Sequence, residues 1–272
     1  MNMQPLFYVI LGTRESSRVK IMQDLCHDLL HRMEGTIGLV GSVSDSEWAE
    51  IARLAEGDAT GRLQCVAMPA PESPLKEFCP ACETVFYLVE EGENPVDAIE
   101  RVHGFLAETP FVLGRIITTV NTHLLYGNGR LKPWYEACIH FSDYVFLANR
   151  EGVPDKWIRE YQLHFTKECL PCHVELLRKT GVKHPALVLE PEARRLSQYF
   201  DEEVNLPVAP ETLDPDWPAI EYEDDPLGEE DGEDEDPTVD HYIKRTVAGR
   251  REVVLPDMRG FWARRTEGAT DG

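Results

Sequence analysis

The sequence lacks a long apolar run, and no stretch approaches the about 20 consecutive apolar residues that a membrane-spanning helix needs. The N-terminal residues MNMQPLFYVILG also lack the basic flank and the small-residue cleavage site of an export signal. These absences predict no membrane partner, and they favour LFYVILG as a first buried strand. Since 42% of the 272 residues are apolar, the chain can bury one substantial core.

The sequence has few cysteines, and their number, seven, is odd. An odd number in a chain of this size, without an export signal, favours reduced thiols over a disulfide framework. Reduced thiols are typical of intracellular proteins. We therefore expect a cytoplasmic protein.

Basic residues are absent from one part of the chain, residues 201–240, which hold 18 Asp and Glu. Residues 1–200 carry 20 basic and 27 acidic side chains, so the acidic segment supplies most of the net charge of −22. Its acidic, Pro-rich composition cannot bury enough apolar surface to offset the entropy of ordering. We therefore predict a disordered linker between an α/β domain at 1–200 and a C-terminal segment at 241–272.

The C-terminal segment is basic and aromatic, and its alternation is compatible with two short strands around Ala248 and Gly249. Phe261 and Trp262, which lie beside two arginines, are of the kind that stack on a nucleic-acid strand. A nucleic-acid contact is therefore predicted only through residues 241–265. The alternative is that this segment packs on the α/β domain.

The first 200 residues alternate short, β-branched runs with longer helix-like segments. This alternation predicts an α/β fold with a mainly parallel sheet flanked by helices. The predicted strands are 6–12, 36–43, 62–68, 84–90, 114–121, 143–149 and 185–190. Helices are predicted after the first and second strands, and near 95–108, 133–141, 154–180 and 191–200.

The segment GTRESSRV follows the first predicted strand and has the length of the phosphate-binding motif G-x-x-x-x-G-K-[ST]. Such a loop points backbone N–H groups at phosphate from a helix N-terminus, where the helix dipole favours anions. Ser17 replaces the second glycine, Arg18 replaces the lysine, and Val19 replaces the hydroxyl residue that ligates Mg²⁺. The alternative is an ordinary polar turn. The predicted phosphate contacts are Gly12, Ser16, Ser17 and Arg18.

Later segments of the chain extend this motif into a family resemblance. FCPACE precedes FYLVEEGENP, and RIITTVNTHLLY precedes ACIHFSDYVFLANREG. Together with the loop, these segments resemble the CobW-type metal-handling GTPases, relatives of UreG and HypB, over about residues 5–165. The resemblance implies a P-loop NTPase-like fold, GTP or ATP as the ligand, and a metal received by the cysteine-containing loop beside the nucleotide.

The resemblance also implies roles for single residues. Glu90 stands where an acidic residue orients a metal-bound water, which makes it the candidate catalytic residue. Asn149 and Arg150 stand at the first two positions of the guanine-reading motif N-K-x-D, and they are the implied base contacts. Gly152 replaces the Asp of that motif, and Asn121 stands where the family has an acid. The resemblance therefore implies nucleotide binding with weakened guanine specificity.

Two C-x-x-C pairs are the candidate metal ligands, Cys79 with Cys82 and Cys169 with Cys172. Four thiolates suit tetrahedral Zn²⁺ because this ion accepts soft ligands, but the fold must then bring two distant loops together. The alternatives are a redox pair and buried thiols without a metal. The pattern CLPCH also matches c-type haem attachment, which requires export.

From these observations we predict a CobW-like nucleotide-binding homologue with degraded motifs, which does not hydrolyse nucleotide and acts by binding a metal, a partner protein, or both. One alternative is a working GTPase or ATPase in metal-centre assembly, with Arg18 on the phosphates and Glu90 near the metal. The other alternative is a scaffold protein that zinc stabilises through the four cysteines.

Overall fold

The sheet contains seven parallel strands in the part of the chain that the computed structural model describes, residues 4–13, 15–201 and 240–258. The strands are β1 Leu6–Gly12, β2 Ile37–Gly41, β3 Leu63–Ala67, β4 Thr84–Leu88, β5 Val112–Asn121, β6 Tyr144–Ala148 and β7 His173–Leu176. Their spatial order is β3-β2-β4-β1-β5-β6-β7, and every neighbouring pair is parallel. The structure thus confirms the predicted α/β fold.

Helices connect the strands and cover both faces of the sheet. They are α1 Arg18–Arg32, α2 Asp45–Glu56, α3 Leu75–Phe78, α4 Pro95–Ala107, α5 Thr122–Gly127, α6 Lys132–His140, α7 Asp155–Lys167 and α8 Pro185–Leu189, with a 3-10 turn at Gly129–Leu131. Among the described residues, no helix has the length and apolarity needed to span a bilayer.

Strand β1 shows why the sheet is buried on both faces. Phe7, Val9 and Leu11 belong to the apolar cluster that packs under α4 and α6. Tyr8 and Ile10 belong to the cluster under α1 on the opposite face. Successive side chains of a strand point to opposite faces, so a strand covered on both faces reads as a continuous apolar run. This is why LFYVILG was recognisable as a buried strand.

The predictions for the last third of the domain were wrong in three places. The strand predicted at 185–190 is instead helix α8, Pro185–Leu189, because a short apolar run does not distinguish the two, and Pro185 suits a first helical position. The predicted helix at 154–180 ends at Lys167, since Pro171 cannot continue it, and strand β7 follows. Residues 191–200 form no helix, because the Arg194 N–H donates to Asp143 instead of to a preceding turn.

Residues 240–258 pack on α4 and α6. Arg251 pairs with Asp97 and with Glu100, and its nitrogen lies 2.7 Å from the Glu100 carboxylate. Met258 is buried, and the side chains of Tyr242 and Leu255 contact the core. The predicted pair of strands around Ala248 and Gly249 is reduced to a single antiparallel bridge between Arg245 and Arg251. The predictions for 202–239 and for Phe261 and Trp262 lie outside the described residues.

Asp240 attaches this segment to the domain. Its carboxylate accepts hydrogen bonds from His140 Nε2–H at 2.8 Å, from the Ser197 hydroxyl and from the Tyr242 N–H at 2.9 Å. Burial opposes ionisation of Asp240, but these hydrogen bonds outweigh burial and hold its pKa below the usual range. The charged carboxylate therefore stabilises the attachment at neutral pH.

We expect Asp240→Ala to lower the free energy of unfolding at pH 7 by about 1.5–3 kcal/mol, the usual loss for a hydrogen-bonded charged group. Because a lowered pKa stabilises the fold above the unfolded-state pKa, the difference from wild type should shrink as the pH falls below about 4. Urea unfolding of both proteins, at pH 7 and below about pH 4, measures the difference in the free energy of unfolding. The exposed Glu56→Ala is the control. Equal stability of the Asp240 variant and wild type at pH 7 would contradict the prediction.

Candidate functional site

The loop of residues 12–17, which we call the phosphate loop, leaves the carboxyl end of β1 and leads into α1. Strand β1 lies between β4 and β5, with β2, β3 and β4 on one side of it and β5, β6 and β7 on the other. In parallel α/β sheets, ligands bind at such a switch point, outside the carboxyl ends of the strands. The fold therefore places the loop where a ligand is expected.

The phosphate loop has the features of an anion site. Ser17, the N-cap of α1, is in the left-handed conformation with φ 65°, and among described residues no side chain caps the helix. The first turn of α1 contains no acidic residue. The Ser16 hydroxyl is buried, and none of the residues that the structure describes gives it a hydrogen-bond partner. The positive end of α1 and a buried hydroxyl are thus available together at this loop.

Two asparagines hold the loop from the neighbouring strands. The side-chain amide of Asn149, at the end of β6, donates to the Glu15 carbonyl and accepts from the Ser17 hydroxyl at 3.3 Å. Asn121, at the end of β5, donates to the same carbonyl at 3.4 Å. Asn149 has φ 50°, a conformation that asparagine tolerates better than most residues. Asn149 therefore lies at the phosphate loop, whereas the family resemblance implied that it contacts the base.

Tyr135 supports the loop from beneath. Its hydroxyl lies 2.9 Å from the Thr13 hydroxyl and accepts a hydrogen bond from the Asn121 N–H at 3.1 Å. Burial raises the pKa of Tyr135 well above its usual range, so the hydroxyl stays protonated. The tyrosine thereby ties α6, the phosphate loop and the end of β5 into one network.

A cavity of about 740 Å³ lies beside the loop, within the size range of small-molecule sites. Four basic side chains line it, and one of them, Lys179, lies 2.7 Å from Glu151. The described lining consists of Glu15, Ser17, Lys20, Asn121, His123, Asn149, Arg150, Glu151, Asp155, Ile158, Leu177, Arg178 and Lys179. The predicted base contacts Asn149 and Arg150 therefore share one cavity with the loop.

Arg18 has a different environment from the one its motif position suggests. Its side chain is 1% exposed, and its guanidinium contacts Glu47 with both Nε and Nη2, at 2.7 and 2.8 Å. Its Nη1 donates to the carbonyls of Val89 at 2.5 Å and Gly12 at 3.3 Å. The described lining of the cavity does not include Arg18. The structure therefore places the predicted phosphate contact in an internal ion pair.

The position that anchors Mg²⁺ in phosphate loops is apolar here. Val19 is buried in the core cluster under α1 and offers no oxygen ligand. Glu90, the candidate catalytic residue, is half-buried and follows Val89 at the end of β4. A magnesium site needs near-octahedral oxygen ligands, and the motif supplies one of them from its hydroxyl residue. The residues present do not fit Mg²⁺ as this motif holds it.

The comparisons with known proteins come from structure alone. No protein-family model matches the chain, and no curated protein sequence matches it. A similar solved structure is Zn(II)-bound YjiA GTPase from E. coli, with TM-score 0.46, 12% identity, and coverage of 69% of this chain and 61% of that chain. Cell division protein FtsY from Thermotoga maritima has TM-score 0.46, 10% identity, and coverage of 69% and 68%.

The signal recognition particle receptor FtsY from Elizabethkingia anophelis gives TM-score 0.37 and 11% identity. The match covers 56% of this chain and 54%, about half, of that chain. Scores and identities this low carry no conclusion about activity. The P-loop-like fold rests instead on the strand order and on the loop at the end of β1.

The two cysteine pairs lie at the amino ends of the parallel strands, opposite the carboxyl ends that carry the phosphate loop. Cys79 and Cys82 precede β4, and Cys169 and Cys172 precede β7, so both pairs are at the amino ends of parallel strands. Strand β4 has five residues, so Cys79 and Cys82 at its amino end are about 16 Å from the carboxyl ends of the strands, where the phosphate loop lies. The resemblance implied that the cysteine loop lies beside the nucleotide site. The structure places it at the opposite end of the strands.

The pairs are also far from each other. Strands β4 and β7 are four strand spacings apart, about 19 Å, which is too far for one tetrahedral ion. In the described ranges, no three His, Cys, Asp or Glu side chains converge on a metal position. Burial raises the pKa of Cys79 to about 12 and that of Cys172 to about 11, which disfavours thiolates. The four predicted zinc ligands are not brought together.

Several residues of the site were not predicted from the sequence. Glu47 and Tyr135 act through contacts 29 and 122 residues away in the chain, and Lys20 and Arg178 line the cavity from α1 and from the segment after β7. Glu47 had a visible signal, since it completes a capping box with Ser44. The capping box explains Glu47 by a contact within its own helix and does not reveal its ion pair with Arg18.

Proposed function

We propose that this chain is a CobW-like, nucleotide-binding P-loop protein that does not hydrolyse its nucleotide and acts in the cytoplasm through a bound metal or a protein partner. The observation that carries the proposal is the start of α1, which no described side chain caps, with the buried Ser16 hydroxyl, which no described residue pairs, beside a cavity of about 740 Å³. A phosphate at the loop would accept hydrogen bonds from these donors. The base would then extend toward Asn149 and Arg150.

The absence of turnover follows from the residues at the loop. Hydrolysis of a nucleotide normally requires Mg²⁺ to neutralise the charge that develops on the phosphates. Val19 supplies no ligand for that ion, and Arg18 is held by Glu47. A protein of this kind exerts its effect by binding rather than by catalysis.

Base selectivity is expected to be weak. Gly152 lacks the carboxylate that would accept hydrogen bonds from guanine, and both atoms of the Asn149 amide are used by the loop. Glu151 and Asp155 line the cavity, but Glu151 is paired with Lys179. We therefore propose that GTP-series and ATP-series nucleotides bind with affinities within about tenfold of each other.

A bound metal would need ligands from outside the described residues. Each C-x-x-C pair offers two thiols, and structural zinc takes four ligands. We propose that a metal reaches this protein through one cysteine pair together with groups of a partner. Metal binding would be separate from the nucleotide cavity because the pairs lie at the amino ends of the strands and the cavity lies at the carboxyl ends.

Isothermal titration with GDP, GTP, ADP and ATP tests the proposal, together with an assay for released phosphate. We expect binding without phosphate release. We also expect Asn149→Ala to weaken binding about tenfold, because two hydrogen bonds of about 0.5–1.5 kcal/mol each to the loop are lost.

Asn128→Ala is the matched control, since Asn128 caps the 3-10 turn and is outside the described lining of the cavity. Its affinity should equal that of wild type. The proposal fails if no nucleotide binds at millimolar concentration. Steady phosphate release that Glu90→Gln abolishes would instead establish the active enzyme.

A further inference from the structure

We propose that the site takes a nucleoside diphosphate and needs no Mg²⁺, because Glu47 neutralises Arg18, the cation at the lysine position of the phosphate loop, and Val19 offers no ligand to the metal. This inference rests on the proposed nucleotide binding and names the ligand class. It concerns how many phosphates the site accepts, whereas the proposed function concerns whether nucleotide binds at all.

The position of Arg18 carries the first step. In a phosphate loop, the lysine at this position reaches the β- and γ-phosphates, and the next residue ligates Mg²⁺. Arg18 is the first residue of α1, and its guanidinium makes four hydrogen bonds inside the protein. Two of them go to a carboxylate, which neutralises the charge that a terminal phosphate would need. The γ-phosphate of a triphosphate therefore has no free arginine at this position to neutralise it.

Glu47 carries the second step, because its carboxylate is held beside Arg18 and keeps the guanidinium charge neutralised. Its Oε2 also accepts hydrogen bonds from the Ser44 hydroxyl at 3.1 Å and from the Ser44 N–H at 3.4 Å, and the second of these belongs to the capping box of α2. Burial opposes ionisation of Glu47, but the hydrogen bonds from Arg18 outweigh burial and lower its pKa. An ionised carboxylate beside the loop disfavours further negative charge.

The donors that remain suit two phosphates. The backbone N–H groups at the start of α1 and the Ser16 hydroxyl, which has no partner among the described residues, belong to the loop beside the cavity. The cationic side chains of Lys20 and Arg178 line the adjoining cavity. Neither group depends on Arg18. A diphosphate therefore retains donors for both of its phosphates, whereas the last group of a triphosphate finds neither a free Arg18 charge nor the Mg²⁺ ligand that the motif usually supplies.

The wild-type chain tests this by titration with GDP and with GTP, each in MgCl₂ and in EDTA. We expect the GDP affinity to be equal within about twofold in the two buffers, and GTP to bind at least about tenfold more weakly than GDP. GTP that binds as tightly as GDP, or GDP that needs Mg²⁺, would overturn the inference and leave the proposed function standing. Failure of both nucleotides to bind would reject both together.

Glu47→Gln tests the assigned cause, because glutamine keeps the size and a hydrogen-bond acceptor for Arg18 but loses the negative charge. We expect the GTP affinity to rise about tenfold relative to GDP. Glu50→Gln, on the exposed side of α2, should leave the ratio unchanged. An unchanged ratio in folded Glu47→Gln would show that the glutamate does not set the selectivity. If this variant does not fold, the wild-type comparison of the two nucleotides decides the inference.

Discussion

Glu47→Ala is expected to lower the free energy of unfolding by about 3–5 kcal/mol, the loss that follows when one partner of a buried ion pair is removed. The Arg18 side chain is 1% exposed, so without Glu47 its charge would remain in the protein without a counter-ion. The carbonyls of Gly12 and Val89 would still accept hydrogen bonds, but they would not neutralise the guanidinium. Urea unfolding at pH 7, followed by far-UV circular dichroism, measures the loss.

A double variant separates the ion pair from simple loss of packing. Arg18→Met with Glu47→Leu removes both charges and keeps most of the buried volume, so we expect it to regain most of the stability lost in Glu47→Ala. Glu50→Ala, an exposed position on the same helix, should change the stability by less than about 0.5 kcal/mol. A loss below about 1 kcal/mol in Glu47→Ala would mean that Arg18 finds solvent or another acceptor.

The pH dependence of this loss has a definite sign. The pKa of Glu47 is lowered in the folded state, so its stabilising effect is fully present above the unfolded-state pKa of about 4.3. The effect is lost as the pH falls through the lower, folded-state pKa. The difference between wild type and Glu47→Ala should therefore be constant near neutral pH and shrink below about pH 4.

The sequence predicted the central strands well because they are buried on both faces. The runs that became β1, β4 and β6 are continuous and apolar, and the structure places each within two residues of its predicted bounds. The edge of the sheet was less predictable. Strand β7 is short and half-buried, with the pattern HVEL, and its pairing with β6 is a tertiary contact that local pattern does not specify.

The phosphate loop was recognisable because its residues are consecutive. Gly12, Ser16 and Ser17 lie at the carboxyl end of β1, and their position follows from a strand, a turn and a helix in order. The partner of Arg18 was not predictable in the same way. Glu47 lies beyond β2, and the contact exists only because β2 and β1 are both parallel to β4, which brings α2 close to α1.

The cysteine pairs show the opposite limit. Their C-x-x-C spacing is explicit in the sequence, but spacing does not state at which end of a strand a pair lies. Both pairs come just before a strand, so both lie at the amino ends of the parallel strands. The distance between the pairs then depends on the strand order, in which β1, β5 and β6 separate β4 from β7.

Gly12→Ala is expected to weaken nucleotide binding about hundredfold. Gly12 has φ +154°, and a Cβ there would lie 2.9 Å from the Ser16 hydroxyl and 3.0 Å from the Thr119 carbonyl. The carbonyl belongs to the strand that pairs with Gly12, so it cannot move away at low cost. The serine would rotate and the loop would shift, which moves the buried hydroxyl and the N–H groups of α1 from their shared position. Titration with GDP measures the loss.

The same substitution should cost about 1–3 kcal/mol of folding stability through backbone strain, which a thermal unfolding experiment detects. Gly104→Ala is the matched control, because Gly104 lies on the exposed side of α4 and a Cβ there meets no atom within 4 Å among the described residues. That change should stabilise the helix by about 0.5–1 kcal/mol and leave GDP affinity unaltered. Wild-type affinity in a folded Gly12→Ala protein would place the nucleotide elsewhere than at this loop.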